Sequence, residues 1–190
     1  MSIVLLGSTS GSCTLQEQAV AGTTTLTLPT ITGPVGVLVS ETAKPSTSGT
    51  TIEFTGIPAG VRRITVMLDQ VSTNGATALL VQIGSGSFET TGYAGGYGLY
   101  YSTGGAVANS STTGFGMYFG ATGQTATGHV VLTLISGNTW VVSGTLFNTV
   151  QPYMTNTAGS RALSGTLDRL RITSVGANTF DNGSINILYE

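Results

Sequence analysis

Thr50-Thr51-Ile52-Glu53-Phe54-Thr55, the turn Ile57-Pro58-Ala59-Gly60, and then Val61-Arg62-Arg63-Ile64-Thr65-Val66-Met67-Leu68-Asp69 decide how this chain reads. Both runs alternate apolar with polar residues, the period of a strand that buries one face. In the first, Ile52 and Phe54 share a face opposite Thr51, Glu53 and Thr55. In the second, Ile64, Val66 and Leu68 point inward while Arg63, Thr65, Met67 and Asp69 point outward. Ser72-Thr73-Asn74-Gly75 then carries the Asn-Gly signal of a tight turn.

The pattern repeats outward from there. Ala78–Ile83 is a more buried strand. His129–Ile135 is expected to pair with Thr139–Phe147 across Ser136-Gly137-Asn138, whose Gly and Asn suit a positive φ. Leu167–Val175 and Ser184–Tyr189 complete the series, with Ile185, Ile187 and Tyr189 on one face. Good helix formers are scarce and β-branched residues abundant, so no segment reads as a helix. Strands about 8–12 residues apart with turns between them indicate an all-β sandwich or barrel. Roughly eight strands after Thr50 make a jelly roll the expected form.

Gly84–Gly128 breaks the pattern. Tyr93, Tyr97, Tyr100 and Tyr101 lie there among Gly, Ser and Ala, followed by Phe115-Gly116-Met117-Tyr118-Phe119. The second half reads as a strand. The first half reads as a long surface excursion, and such loops usually have a purpose. Its Gly92–Gly98 run lacks the Gly-Lys-Ser/Thr ending of a phosphate loop. A flexible loop presenting tyrosine rings suits a subunit, another protein or a sugar, because flat aromatic faces give large contact area at low entropy cost. Trp140 is a further candidate for that contact, with core or rim as its alternative place.

The chain has 190 residues, yet only six Lys and Arg and eight Asp and Glu, with a net charge of −2. Soluble domains usually carry about a quarter charged residues. A surface of hydroxyls, glycine and backbone suits a component held among its own copies, since the buried centres of interfaces are depleted in charge. Arg62 and Arg63 fall on opposite faces of one strand. Arg169 and Arg171 share a face, with Asp168 assigned to the other. Neither pair makes the basic stripe that nucleic acid requires, and no apolar run approaches the ~20 residues of a membrane span.

Enzymatic chemistry has little to start from. His129 is the only histidine and sits among Val130, Val131 and Leu132, where a structural role is expected. Glu53 and Asp69 could face each other from adjacent strands, the arrangement a glycosidase needs, but eight acids in a β protein always offer such a pair. Cys13 is the sole cysteine, so no intrachain disulfide forms, and metal sites need clusters. The expectation is a non-enzyme with no cofactor and no bound metal.

Residues 1–45 read as an N-terminal attachment and oligomerisation segment with its linker, and 46–190 as the sandwich. Thr23-Thr24-Thr25-Leu26-Thr27-Leu28-Pro29 alternates before a proline stop, and Cys13-Thr14-Leu15-Gln16 forms a short strand. These strands are too short and polar to build a core. Leu15, Leu26, Leu28 and Pro29 are therefore the expected contacts with the particle or with sister copies. Gly33-Pro34 through Gly49 is turn and linker sequence around a short strand, Val35–Val39. Met1–Gly7 lacks the basic n-region of a signal peptide and reads as mature sequence, made in a cytoplasm.

Gly7-Ser8-Thr9-Ser10-Gly11-Ser12-Cys13-Thr14-Leu15-Gln16 followed by Ala21–Pro29 resembles the N-terminal segment of tailed-bacteriophage fibre and head-fibre proteins. Ser48–Gly60, Ile64-Thr65-Val66-Met67 and the ending Gly183–Glu190 resemble a β domain of phage virion structural proteins. The resemblance implies a location in the virion, a homotrimer, and other virion proteins of capsid or tail as partners. It implies no catalytic residue. The absence of a repeated shaft favours a compact capsid-decorating or head-fibre protein. The alternative is a tail-fibre or tail-tip receptor-binding module that recognises host-surface glycan.

Overall fold

The computed structural model describes residues 2–6, 12–16, 38–119, 123–149 and 152–190, with side-chain environments given from residue 38 onward and not for Tyr118 and Phe119. The chain divides into two units, Met1–Val35 and Gly36–Glu190. In the first, β1 (Ser2–Leu6) pairs antiparallel with β2 (Ser12–Gln16), Ser2 opposite Gln16 and Leu6 opposite Ser12. Cys13 and Leu15 lie on β2. The strand expected over Thr23–Leu28, with Leu26, Leu28 and Pro29, lies outside the described residues.

The second unit is all-β. It contains β3 (Val39–Ser40), β4 (Lys44–Pro45), β5 (Thr51–Thr55), β6 (Arg63–Thr73), β7 (Thr77–Ser85), β8 (Ser87–Phe88), β9 (Ala94–Tyr101) and β10 (Ala106–Ser111). These are followed by β11 (Phe115–Phe119), β12 (Ala126–Ser136), β13 (Thr139–Asn148), β14 (Tyr153–Ala162), β15 (Arg169–Ser174) and β16 (Phe180–Tyr189). Nine strands form one antiparallel sheet in the order β10-β9-β14-β13-β12-β6-β16-β3, with β4 also on β16. Five form the other, β11-β7-β15-β5, with β8 on β7. Among the described residues β10 pairs only with β9, so it is the outer strand of the larger sheet.

Alternation produces the core. Ile64, Val66 and Leu68 of β6, Val130 and Leu132 of β12, and Ile185, Ile187 and Tyr189 of β16 face Ile52 and Phe54 of β5, Leu79, Val81 and Ile83 of β7, and Leu170 and Ile172 of β15. All belong to one apolar cluster between the sheets, the arrangement of a β-sandwich. The expected β12–β13 hairpin is present, with Leu134 opposite Trp140 and a bulge before Ser136 pairs with Thr139. Three consecutive strands, β12, β13 and β14, lie side by side as a meander. The sandwich is therefore established, and jelly-roll connectivity is not.

Several boundaries differ from the sequence reading. Twelve strands, not eight, follow Thr50. β6 runs on through Ser72 and Thr73, which are buried, so the turn begins at Asn74. β3 and β4, expected in the linker, pair with β16. The excursion expected in the first half of Gly84–Gly128 is instead mostly sheet. β9 enters the larger sheet beside β14, Leu99 opposite Thr155, and β10 turns back against it, Val107 opposite Leu99. Glycine-rich composition hid these strands, because Gly carries no apolar side chain to display the alternation.

Candidate functional site

The outer face of the larger sheet is the most distinctive surface. Across β9, β10, β12, β13 and β14 the only charged side chain is Arg161. It turns to the inner side, donating to the Gly92 carbonyl and pairing with Glu89. Its guanidinium also lies 5.5 Å from the Tyr93 ring centroid. Five strands of outer face, about 20–25 Å across at the usual strand spacing, thus carry no ionic group.

Strand register arranges the side chains of this face in transverse rows. One row runs Ala108, Gly98, Asn156, Thr145, His129 and Met67. The next runs Ser110, Gly96, Ala158, Ser143, Val131 and Thr65. Small residues at β9, β10 and β14 leave an open groove of about 770 Å³, lined by residues of all five strands and walled by Tyr100. A smaller depression of about 320 Å³ lies on the β6 side of His129 and Val131. Thr145 Oγ1 donates to Asn156 Oδ1 at 3.2 Å. A third row, Phe147, Met154 and Tyr100, leaves three large apolar groups 46 %, 47 % and 56 % exposed.

The expected tyrosine platform separates into four different places. Tyr93 is a core residue, 2 % exposed. Its ring meets Phe115 edge-on at 4.9 Å. Its hydroxyl accepts from the Ile83 N–H at 2.9 Å and donates to the Glu89 carbonyl at 3.0 Å. Tyr97 faces inward, its ring against Gly116 of β11. Tyr101 also faces inward and lies 5.7 Å from the Tyr153 ring. Only Tyr100 presents its ring on the outer face. Trp140 is 2 % exposed and belongs to the core. The alternation of a strand, unrecognised in a glycine-rich run, sends odd and even tyrosines to opposite sides.

The acids do not converge. Glu53 is on β5 of the smaller sheet and Asp69 on β6 of the larger, so the adjacent-strand pairing of these two carboxylates is corrected. Glu53 instead lies 3.7 Å from Arg171. Asp168 is not turned away from the arginines: it pairs with Arg169 at 2.8 Å, and that contact, together with the Gly86 N–H, holds its carboxyl below the usual range. Arg169 and Arg171 do share a face, both over the Phe88 ring. His129 points outward into the groove, whereas its apolar neighbours Val130 and Leu132 point inward. Among the described residues, no three of His, Cys, Asp and Glu gather as a metal site.

Glu89 anchors a half-buried ionic cluster. Burial opposes its ionisation, but the Ser164 N–H and hydroxyl together with Arg161 outweigh that and lower its pKa. The cluster fixes the chain after β8 to the end of β14. Comparison with known proteins finds no matching family model, no matching curated protein and no matching solved structure.

Proposed function

We propose that this chain is a non-enzymatic structural protein of a tailed-bacteriophage virion, a homotrimeric capsid-decorating or head-fibre protein. In this reading the N-terminal segment attaches to the particle or to sister copies and the sandwich projects from it. The observation that carries the proposal is how the few charges are used. Arg63, Arg161, Arg169 and Arg171, four of the six cations, pair with Glu190, Glu89, Asp168 and Glu53. What remains for contact with other molecules is an almost neutral skin with one wide uncharged face, the composition of an interface and not of a freely diffusing domain. Exposed Phe147 and Met154 are the apolar part of that face best suited to a sister subunit.

The division at Val35 supports a separable attachment unit. Deleting residues 1–35 is expected to leave the sandwich with an unchanged thermal midpoint and to abolish incorporation into particles, read by mass spectrometry of purified virions. Normal incorporation of the truncated protein overturns the attachment role. The second reading, a tail-tip module for host-surface glycan, draws on a different observation: the neutral groove beside Tyr100, lined with amide, hydroxyl and imidazole groups.

A further inference from the structure

We infer that the groove across β12, β13, β14, β9 and β10 is a saccharide subsite for a neutral, hydroxyl-rich ring, one sugar unit of an uncharged glycan. The inference deepens the glycan reading and rests on it, and it does not depend on where the protein sits in a particle.

Three features select this chemistry. The first is the absence of charge. No Lys or Arg lines the groove to hold a phosphate, sulfate or sugar carboxylate, and no Asp or Glu lines it to hold a cation. The second is the pairing of a flat ring with fixed polar groups. Tyr100 offers an exposed aromatic face for the C–H face of a sugar. Thr145 occupies Asn156 Oδ1, which leaves both Nδ2 hydrogens as donors toward sugar oxygens. His129, in the same row beyond Thr145, adds a ring nitrogen on either side of its exposed imidazole.

The third feature is glycine that the backbone does not demand. At Gly98 an added Cβ would meet the Val107 carbonyl at 3.5 Å and the Tyr100 ring at 3.8 Å, ordinary contacts, and its φ is not positive. Neither the sheet nor its neighbours therefore require glycine there. The missing side chain instead leaves the Tyr100 ring approachable from the groove. Gly96 differs, because its Cβ would press on the Asn109 carbonyl at 2.8 Å. The floor of Ala108, Gly98 and Ala158 spans three strands, or roughly 10 Å, the width of a pyranose ring, with Tyr100 and Asn156 both on that outer face beside it.

A shallow open subsite of this kind binds weakly, with a dissociation constant of about 0.1–10 mM per site, strengthened by multivalency when several copies face one surface. The test uses the full chain with maltohexaose, cellohexaose and chitohexaose as neutral probes and a heparin hexasaccharide as the anionic one, read by calorimetry and saturation-transfer NMR. At least one neutral probe is expected to bind and the anionic probe to fail. Asn156→Ala should weaken that binding about tenfold, and Ala158→Trp, which fills the groove floor from its exposed side, should abolish it. Both substitutions are on the outer face, so thermal midpoints should hold. If Ala158→Trp fails to fold, Gly98→Leu serves as the blocking variant. Absence of binding by all neutral probes at 10 mM sinks the inference, as does binding that survives the blocking variants. A blocking variant that changes the sedimentation of the oligomer identifies the groove as a subunit contact and also overturns the inference. Loss of particle incorporation on deleting residues 1–35 bears on assembly alone, so the two readings fail separately.

Discussion

Tyr93 joins two parts of the smaller sheet through one oxygen. The Ile83 N–H donates to it, and it donates to the Glu89 carbonyl. Burial pushes this phenol from its ordinary value of 10.0 up to about 12. An unfolded chain ionises the same group near pH 10, so between those values the unfolded state holds fewer protons and stability falls as pH rises. The loss should reach about 2–3 kcal/mol by pH 12. Urea unfolding at pH 8, 10 and 11 should show the wild type losing stability faster than Tyr93→Phe over that interval. At pH 8 the same variant should be about 1–3 kcal/mol less stable, because the Ile83 N–H loses its side-chain partner. Nothing in Gly92-Tyr93-Ala94-Gly95 distinguishes this residue from Tyr100. Their opposite fates depend on the alternation of β9 and of the residue just before it, and that depends on pairing with β14, a partner more than fifty residues away.

At the scale of elements, β6 governs the larger sheet. Its register shifts against β12 between Ala126 and Gly128, and against β16 between Phe180 and Ser184. The β12 shift and the Asn182–Ser184 shift of β16 flank Gln70, whose φ is 49°, the one positive value among the described residues that are not glycine. The Thr127 hydroxyl accepts from the Gln70 N–H at 3.1 Å and the Asn182 amide donates to its carbonyl at 2.8 Å. Gly183, at φ 91°, packs directly over this bulge, and a Cβ there would run into the carbonyls of Asp69 and Gln70. Gly183→Ala should therefore cost about 3 kcal/mol, a combination of backbone strain and displaced neighbours. Gln70→Gly, which relieves the positive φ, should change stability by less than about 1 kcal/mol, in the stabilising direction. Denaturant midpoints at constant m-value read both. Sequence alone made β5, β12, β13, β15 and β16 legible, because apolar side chains there mark the buried face every second residue, and β7 as a more buried apolar run. It began β6 two residues early, at Val61, and missed its continuation, since bulged Ser72 and Thr73 are buried by register and not by hydrophobicity. It missed β14 altogether: Tyr153-Met154-Thr155-Asn156-Thr157-Ala158-Gly159 buries Thr155 and Thr157, polar residues that show no apolar alternation.

At the scale of the whole molecule, the scarcity of charge was plain in the composition, but its placement was not. Which arginine meets which acid depends on pairings such as Arg171 of β15 with Glu53 of β5, brought together by strands far apart in sequence. The groove was equally hidden, because its lining comes from five strands and its polar groups, Asn156, Thr145 and His129, carry no motif. Association through uncharged surface has a measurable consequence. A trimer held this way should persist at low micromolar concentration in light scattering, and its mass should not change between 0.05 and 1 M sodium chloride, since few ion pairs are available for salt to screen. A species of ~19 kDa under those conditions, or one that dissociates as salt rises, contradicts the proposed assembly.

The outermost strand of the larger sheet, Ala106-Val107-Ala108-Asn109-Ser110-Ser111, holds neither lysine nor proline, the residues that natural proteins place on such a rim to keep neighbours off. Among the described residues no strand pairs with its outward amides and carbonyls, which offer a ladder to an extended chain. Protein concentrated without whatever covers that rim is thus prone to stitch itself into ribbons, and storage that resists such growth depends on shielding six residues of main chain and not on improving the fold beneath them.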